Sequence, residues 1–428
     1  MPGNVYEPDE LNRLYRKGGD PVDDGRFRLR RPRFESRWTG LLLPEDRDIE
    51  ENRGFSYLMV EPVDLPAAGA GEVLVIFHGL NEGSYARMLP WAGSFAQRLG
   101  IPVILFPLSF HVGRRSDLWS VQEQTRIAAR RAAMTGNGRT SPFNGRISER
   151  LDRAPERYCL GGLQSCFDAA DLVARIERGE HASCRAGARV RFLGYSAGGY
   201  LALVLLLADP FGRFSDARAA LFASGAPLGG IRPESLFIMD DSAAKELSAY
   251  LRSASFPDGL PVRTAVDDRH GNLVDGRGGN PVDGRHRRLD DGYNRQQVDG
   301  RHRRLVDPPL RWLKEVLFHG DALAARMKDL QDRLLVVVNP ADRVISADQT
   351  EWNLHPAPVL RLDLGVHEFP FTTGEPLPDR YDRRAKETRS MIRNVRNAHR
   401  IGPEYRSAFD RFVHDVSAFL FPGPPNPA

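Results

Sequence analysis

Short uninterrupted apolar runs constrain this chain more than any other feature. Val73–Phe77 (VLVIF), Pro102–Phe106 (PVILF) and Leu334–Val338 (LLVVV) contain no polar side chain. Runs of that length read as strands buried on both faces, the situation inside a parallel sheet. Helical stretches fall between them, at Met88–Leu99, Asp117–Met134, Leu163–Arg178 and Gly199–Ala208. Val190–Leu193, Leu221–Ser224 and Val359–Leu364 continue the series, and Phe55–Glu61 precedes it as a short strand. Strands alternating with helices over this much chain predict an α/β protein with a mostly parallel central sheet and helices on both faces.

The rhythm fails in two places. Residues 1–54 are rich in Arg, Asp, Glu and Pro with little periodicity, and are expected to form a partly irregular N-terminal extension wrapped on the surface. Residues 231–330 interrupt the series again and contain an octapeptide repeat over 266–305, with units such as VDGRGGNP from Val274 and VDGRHRRL from Val282. One or two apolar residues per unit cannot build a core, so the repeat reads as a solvated loop without a part in chemistry. The expected organisation is an extension (1–54), a core in two parts (55–230 and 331–428) and an inserted cap (231–330). Glu234–Met239, Ala243–Leu251 and Leu310–His319 are its candidate helices, with Leu236, Phe237, Leu313 and Phe318 as packing residues.

Composition excludes some partners. The net charge is +4, but 56 acidic residues are interspersed with 60 basic ones, of which only Lys17, Lys245, Lys314, Lys328 and Lys386 are lysine. A nucleic-acid binder gathers positive charge on one face or stretch, so no nucleic-acid partner is expected. Cys159, Cys166 and Cys184 are odd in number and lack metal-ligand spacing, which argues against a disulfide framework or a zinc site. No window has the run of about 18 apolar residues that spans a bilayer, and MPGNVYEPDELNR lacks a secretory pattern. The expected compartment is the cytoplasm.

The sharpest motif is Gly194-Tyr-Ser196-Ala-Gly198-Gly, set between the strand ending at Leu193 and an apolar helix. A serine at such a strand-to-helix turn is held in strained geometry, and glycines let the two elements approach. His78-Gly79-Leu80-Asn81 follows the strand Val73–Phe77 directly. A loop in that place, with the residue after the serine, supplies backbone amides to a developing oxyanion. Leu80 and Ala197 are the candidate donors, and His78 reads as a buried structural histidine. Asp342 follows the strand Leu334–Val338 and His367 follows Val359–Leu364, the order Ser, acid, His on successive post-strand loops. Asp342 could instead cap a helix, and His367 could be a surface histidine. Their joint placement favours a Ser196–His367–Asp342 triad over the rivals Asp332, Asp363, His399 and His414.

With these residues in hand, the chain resembles the α/β-hydrolase superfamily of serine hydrolase type, over about Phe55–Gly230 and Leu330–Leu420. HGLNE, LPWA (Leu89–Ala92) and VILFPLSFH (Val103–His111) also resemble a bacterial α/β-hydrolase-like group of uncharacterised function. The resemblance implies an α/β-hydrolase fold with an inserted cap over the pocket. HGLN stands where hormone-sensitive-lipase-like esterases carry HGGG, and no propeller fits ahead of Val73, as prolyl-oligopeptidase-like peptidases would need. The expected function is hydrolysis of a carboxylic ester, or a thioester or amide, through an acyl-enzyme. The expected substrate is a small acyl compound, with no cofactor and no metal. Phe110, His111 and Trp119 are expected at the pocket. A catalytically silent binding protein and a small peptidase are the rival readings.

Overall fold

The computed structural model describes residues 8–38, 42–116, 120–253, 256, 309–373, 375, 377–382 and 384–423. Trp119 and the octapeptide repeat at 266–305 lie outside the described residues.

Among the described residues, eleven strands run in chain order: β1 (Val22–Asp23), β2 (Phe27–Arg30), β3 (Arg33–Glu35), β4 (Gly54–Ser56), β5 (Leu58–Pro62), β6 (Ala70–Phe77), β7 (Val103–Phe106), β8 (Cys184–Tyr195), β9 (Arg218–Phe222), β10 (Leu334–Val338) and β11 (Val359–Arg361). Nine of them form one sheet in the order β1-β2-β5-β7-β6-β8-β9-β10-β11, while β3 and β4 pair separately. From β7 to β11 every pairing is parallel, and β5, β2 and β1 are added antiparallel at one edge. Crossover helices such as Leu89–Leu99, Arg157–Glu177 and Ala197–Ala208 join the parallel strands. Parallel neighbours require such crossovers, and this strand order is that of the α/β-hydrolase fold.

The all-apolar runs have a direct cause. Alternate side chains of a strand face opposite sides, and both sides are covered here. Val73, Val75 and Phe77 enter the core beneath helices Arg157–Glu177 and Ala197–Ala208. Leu74 and Ile76 enter the opposite core, shared with Leu89, Trp91 and Phe95 of helix Leu89–Leu99 and Phe409, Phe412 and Val416 of helix Arg406–Leu420. A truncation such as Ile76→Ala in either layer costs about 2–5 kcal/mol. Helix Ala197–Ala208 is buried from Gly198 through Leu207, as a helix apolar all round must be.

The N-terminal region differs from the irregular extension read from sequence. Phe27 and Leu29 are buried in the sheet, and Leu11 and Leu14 of helix Pro8–Lys17 join the core under helix Leu89–Leu99. Ser36 and Asn52 reach further in. Arg114, fully buried, donates from Nη2 to Asp168 at 2.7 Å and from Nε to Asn52 Oδ1 at 3.1 Å, and Ser36 donates to the other Asp168 oxygen at 2.6 Å.

The layer above the strands' C-terminal ends is built from two segments. Helix Asp241–Arg252 comes from the inserted region, and helices Val121–Ala132 and Gly145–Arg153 from the β7–β8 connection. Arg131 joins the segments by a two-pronged grip on Asp240, at 2.6 and 2.8 Å, and Asp240 caps its own helix by accepting from the Ala243 N–H at 3.1 Å. Residues 309–318 are helical, as expected, but Glu234–Met239 is not. There the carbonyls of Ser235, Leu236 and Phe237 accept from the side chains of Asn144, Ser141 and Asn81. Side-chain donors thus take the groups a helix would need. Phe318, expected in packing, is 42% exposed. No helix among the described residues is long and apolar enough to cross a membrane.

Candidate active site

Strand β8 ends at Tyr195 and helix Ala197–Ala208 begins one residue later, leaving Ser196 alone at the turn. Its φ of 52° and ψ of −119° are unfavourable for a residue with a Cβ. The surrounding glycines permit the turn. A Cβ on Gly194 would collide with the Gly198 carbonyl, and one on Gly198 with the Phe77 carbonyl. Gly79 is similarly confined, since a Cβ there would lie 2.9 Å from the Tyr195 ring.

His367 follows β11 and meets Ser196 from the side. Its Nε2 lies 3.0 Å from Ser196 Oγ, and its Nδ1 lies 2.8 Å from Asp342 Oδ2. Asp342 uses its other oxygen locally, Oδ1 accepting the N–H groups of Val344 and Ile345 at 2.7 and 2.9 Å. The local turn and the contact with His367 thus occupy different oxygens of one carboxylate. Burial alone would raise the Asp342 pKa, but His367 and these two amides outweigh it and hold the group below the usual carboxylate value. For His367, burial works to lower the pKa, and the charge and hydrogen bond of Asp342 reverse that, leaving it above the ordinary imidazole value. The rivals stand elsewhere: His414 is exposed beside Asp415, and Asp363 accepts from the Gly365 N–H.

Leu80 and Ala197 border the space in front of Ser196. Ala197 opens its helix, so its N–H is among the four without an intrahelical acceptor. Asn81, at φ 63°, fixes the Leu80 loop by donating from one amide nitrogen to the carbonyls of Phe143 and Phe237. His78 holds the base of that loop. Its Nδ1 donates to the Gly79 carbonyl at 2.8 Å and its Nε2 accepts the Leu108 N–H at 3.0 Å. Burial drives its pKa well down, with the neighbouring His111 adding to the effect, so it is neutral.

Sequence reading missed several contributors. Tyr195 donates its hydroxyl to the backbone carbonyl of His367, and only its position beside the serine hinted at a role. Asn339 donates to the Gly365 carbonyl at 2.7 Å, two residues before His367. Arg87 and Glu82 form a 3.0 Å ion pair on the wall of the cavity that contains Ser196 and His367. Burial raises the Glu82 pKa, opposed by Arg87 and His367. Phe237 lines this cavity, while Phe110, His111 and Leu313 line an apolar chamber that reaches Ala197. Among the described residues, no group of three or more His, Cys, Asp or Glu could hold a metal ion.

Strand order and strand-to-helix turn define an α/β-hydrolase-fold protein with a hydrogen-bonded Ser–His–Asp row at the C-terminal ends of its strands. The chain belongs to a family of unknown function (DUF6051), whose model matches residues 38–269. No curated protein matches it in sequence. Solved structures with some likeness include a thermostable esterase from Pseudomonas putida ECU1011, at 12% identity and TM-score 0.39, with 85% of this chain and 82% of that one covered. Carboxyl esterase 2 of the mycorrhizal fungus Tuber melanosporum is 13% identical at TM-score 0.38, over 91% and 88%. The peroxisomal α/β-hydrolase Lpx1 of Saccharomyces cerevisiae is 14% identical at TM-score 0.38, over 92% and 98%.

Proposed function

We propose that the protein is a serine hydrolase that cleaves a carboxylic ester, or a thioester or amide, through an acyl-enzyme. The observation that carries this reading is the unbroken row Ser196 Oγ, His367, Asp342, at 3.0 and 2.8 Å, beside a cavity. A serine hydroxyl is a weak nucleophile until a base takes its proton. In this reading His367 Nε2 takes that proton as Oγ attacks the substrate carbonyl. Asp342 keeps the remaining proton on Nδ1 and stabilises the imidazolium. The N–H groups of Leu80 and Ala197 receive the oxyanion. His367 then returns the proton to the departing alcohol, and water repeats the sequence on the acyl-enzyme. The proposal includes the cytoplasm as compartment.

The test is intact-mass detection of a fluorophosphonate adduct on the wild-type protein and on Ser196→Ala, followed by p-nitrophenyl esters and aminoacyl amides. Labelling lost in the variant is the expected result. Folded wild-type protein that stays unlabelled sinks the proposal in favour of a binding scaffold, and turnover of the amides alone makes the protein a peptidase.

A further inference from the structure

Ser196 borders two cavities that differ in character. One, of about 220 Å³, contains His367 and carries the charged side chains Arg87, Glu82, Arg115 and Glu368. The other, of about 190 Å³, lacks His367 and is mainly apolar, walled by Leu247, Leu251, Leu317 and Met239 with Tyr200, although Arg232, Glu234 and Arg252 also border it. It shares Leu80, Tyr158, Ala197 and Tyr200 with a further chamber of about 120 Å³ lined by Leu151, Leu163 and Val204 among others. The more apolar route therefore leads away from the serine on the side without His367.

The chemistry of the proposed reaction orients a substrate between them. When the tetrahedral intermediate collapses, the bond between the carbonyl carbon and the leaving oxygen breaks. That oxygen takes its proton from His367 Nε2, so the alcohol must lie on the side where His367 is exposed to the cavity. The acyl chain is left for the side without His367. The apolar half of the substrate thus falls in the apolar chambers, and the alcohol among charges.

Those charges are not equivalent. Glu82 is paired with Arg87. Glu368 accepts from Ser235 and lies close enough to Arg87 to raise its pKa. Arg115 has no carboxylate partner among the described residues: its guanidinium lies 3.6 Å from where a Gly83 Cβ would be, with one long 3.5 Å contact to the Gly83 carbonyl. Burial shifts its pKa down. A partly buried guanidinium with spare donors is a fork for a planar or tetrahedral oxyanion.

On the hydrolase reading given above, we propose that the substrate is an ester of an apolar acyl chain longer than acetyl with an alcohol that bears a carboxylate or phosphate, and that Arg115 binds that anion. The acyl chain occupies the chambers by Leu247 and Tyr158. The anion sits in the charged cavity, and hydrolysis releases an anionic alcohol on that side.

The test compares kcat/KM for the octanoyl esters of 4-hydroxybenzoate, 4-hydroxybenzamide and 4-hydroxyphenyl phosphate, together with the acetyl ester of the benzoate, after fluorophosphonate labelling of the same preparation. The carboxylate or the phosphate ester is expected to exceed the neutral carboxamide by about tenfold or more, the size of a charge-assisted hydrogen bond. Whichever anion leads identifies the headgroup. Arg115→Gln brings that ratio to about one, and Arg115→Lys retains part of it, whereas general damage lowers all the esters alike and leaves the ratio. Octanoyl is expected to exceed acetyl by severalfold per buried methylene until the chambers fill, and Leu247→Trp to shrink that preference. Equal turnover of charged and neutral esters, or a ratio that survives Arg115→Gln, overturns the proposal while labelled Ser196 leaves the hydrolase reading standing. Unlabelled protein overturns both.

Discussion

Two of the buried charge pairs in this molecule look alike by distance and differ in what surrounds them. His367 and Asp342 meet at 2.8 Å with side chains 2% and 1% exposed, and Arg114 and Asp168 at 2.7 Å with both at 0%. Arg114 spends its donors inside the protein, on Asp168, the Asn52 side chain, the Asn52 carbonyl and the Pro107 carbonyl. Asp168 is completed by Ser36. His367 turns its second nitrogen to a serine hydroxyl beside a cavity. Burial with charge marks a structural clamp when every group is satisfied within the fold. Under the proposed function, it marks chemistry when the last hydrogen bond ends on a serine hydroxyl facing open space.

The contrast can be tested from its strongest consequence downwards. Ser196→Ala is expected to lower ester turnover by about 10⁶-fold, the scale for losing a nucleophile of this kind, while thermal unfolding stays within a few degrees of wild type. Asp342→Asn should cost about 10⁴-fold by stabilising the wrong tautomer, measured as kcat. Arg114→Met strands the Asp168 carboxylate and should cost about 3–5 kcal/mol of stability in a urea titration. The double change Arg114→Met with Asp168→Leu should cost less than that single change, because no charge is left unpaired. Equal costs would place the clamp's value in shape rather than charge.

The smallest effect is in pH. The base works when neutral, so kcat/KM should rise about tenfold per pH unit and level off above the pKa of His367, which Asp342 holds above the ordinary imidazole value. A folded-state pKa above the unfolded one means that His367 adds stability fully present below the unfolded pKa and lost as pH rises through the folded one. Asp342, held low, adds stability above its unfolded pKa and loses it as pH falls through the folded value. Arg114→Met should leave the activity limb where it is.

The site was more legible in the sequence than the clamp because its parts follow local grammar. Each of Ser196, Asp342 and His367 comes within a few residues after the end of a strand, and β6, β7 and β10 announce themselves by runs without a polar residue. The Arg114 clamp has no such grammar: Asp168 and Asn52 lie 54 and 62 positions from Arg114, and Ser36 lies 132 positions from Asp168, on elements that reveal their adjacency only when packed. The same holds for β2, whose FRLR alternation is too short to stand out from the arginines around it. The stretch Glu234–Met239 carried helical character, and tertiary hydrogen bonds from Asn81, Ser141 and Asn144 overrode it. Cavity walls are legible only in part: Phe110 and His111 are expected at a pocket and line the apolar chamber, whereas Arg115 and Leu247 acquire neighbours only in three dimensions.

Asn81 ties these levels together. One amide nitrogen holds the carbonyl of Phe143, from the β7–β8 connection, and that of Phe237, from the inserted region. Both segments of the overlying layer are thereby pinned to the residue beside Leu80. If that layer lifts to admit a substrate, the pin must let go of at least one segment, and the turn carrying Leu80 loses part of its tether in the same movement. Any shift of that layer would thus be felt at the turn that the proposed mechanism uses for the oxyanion.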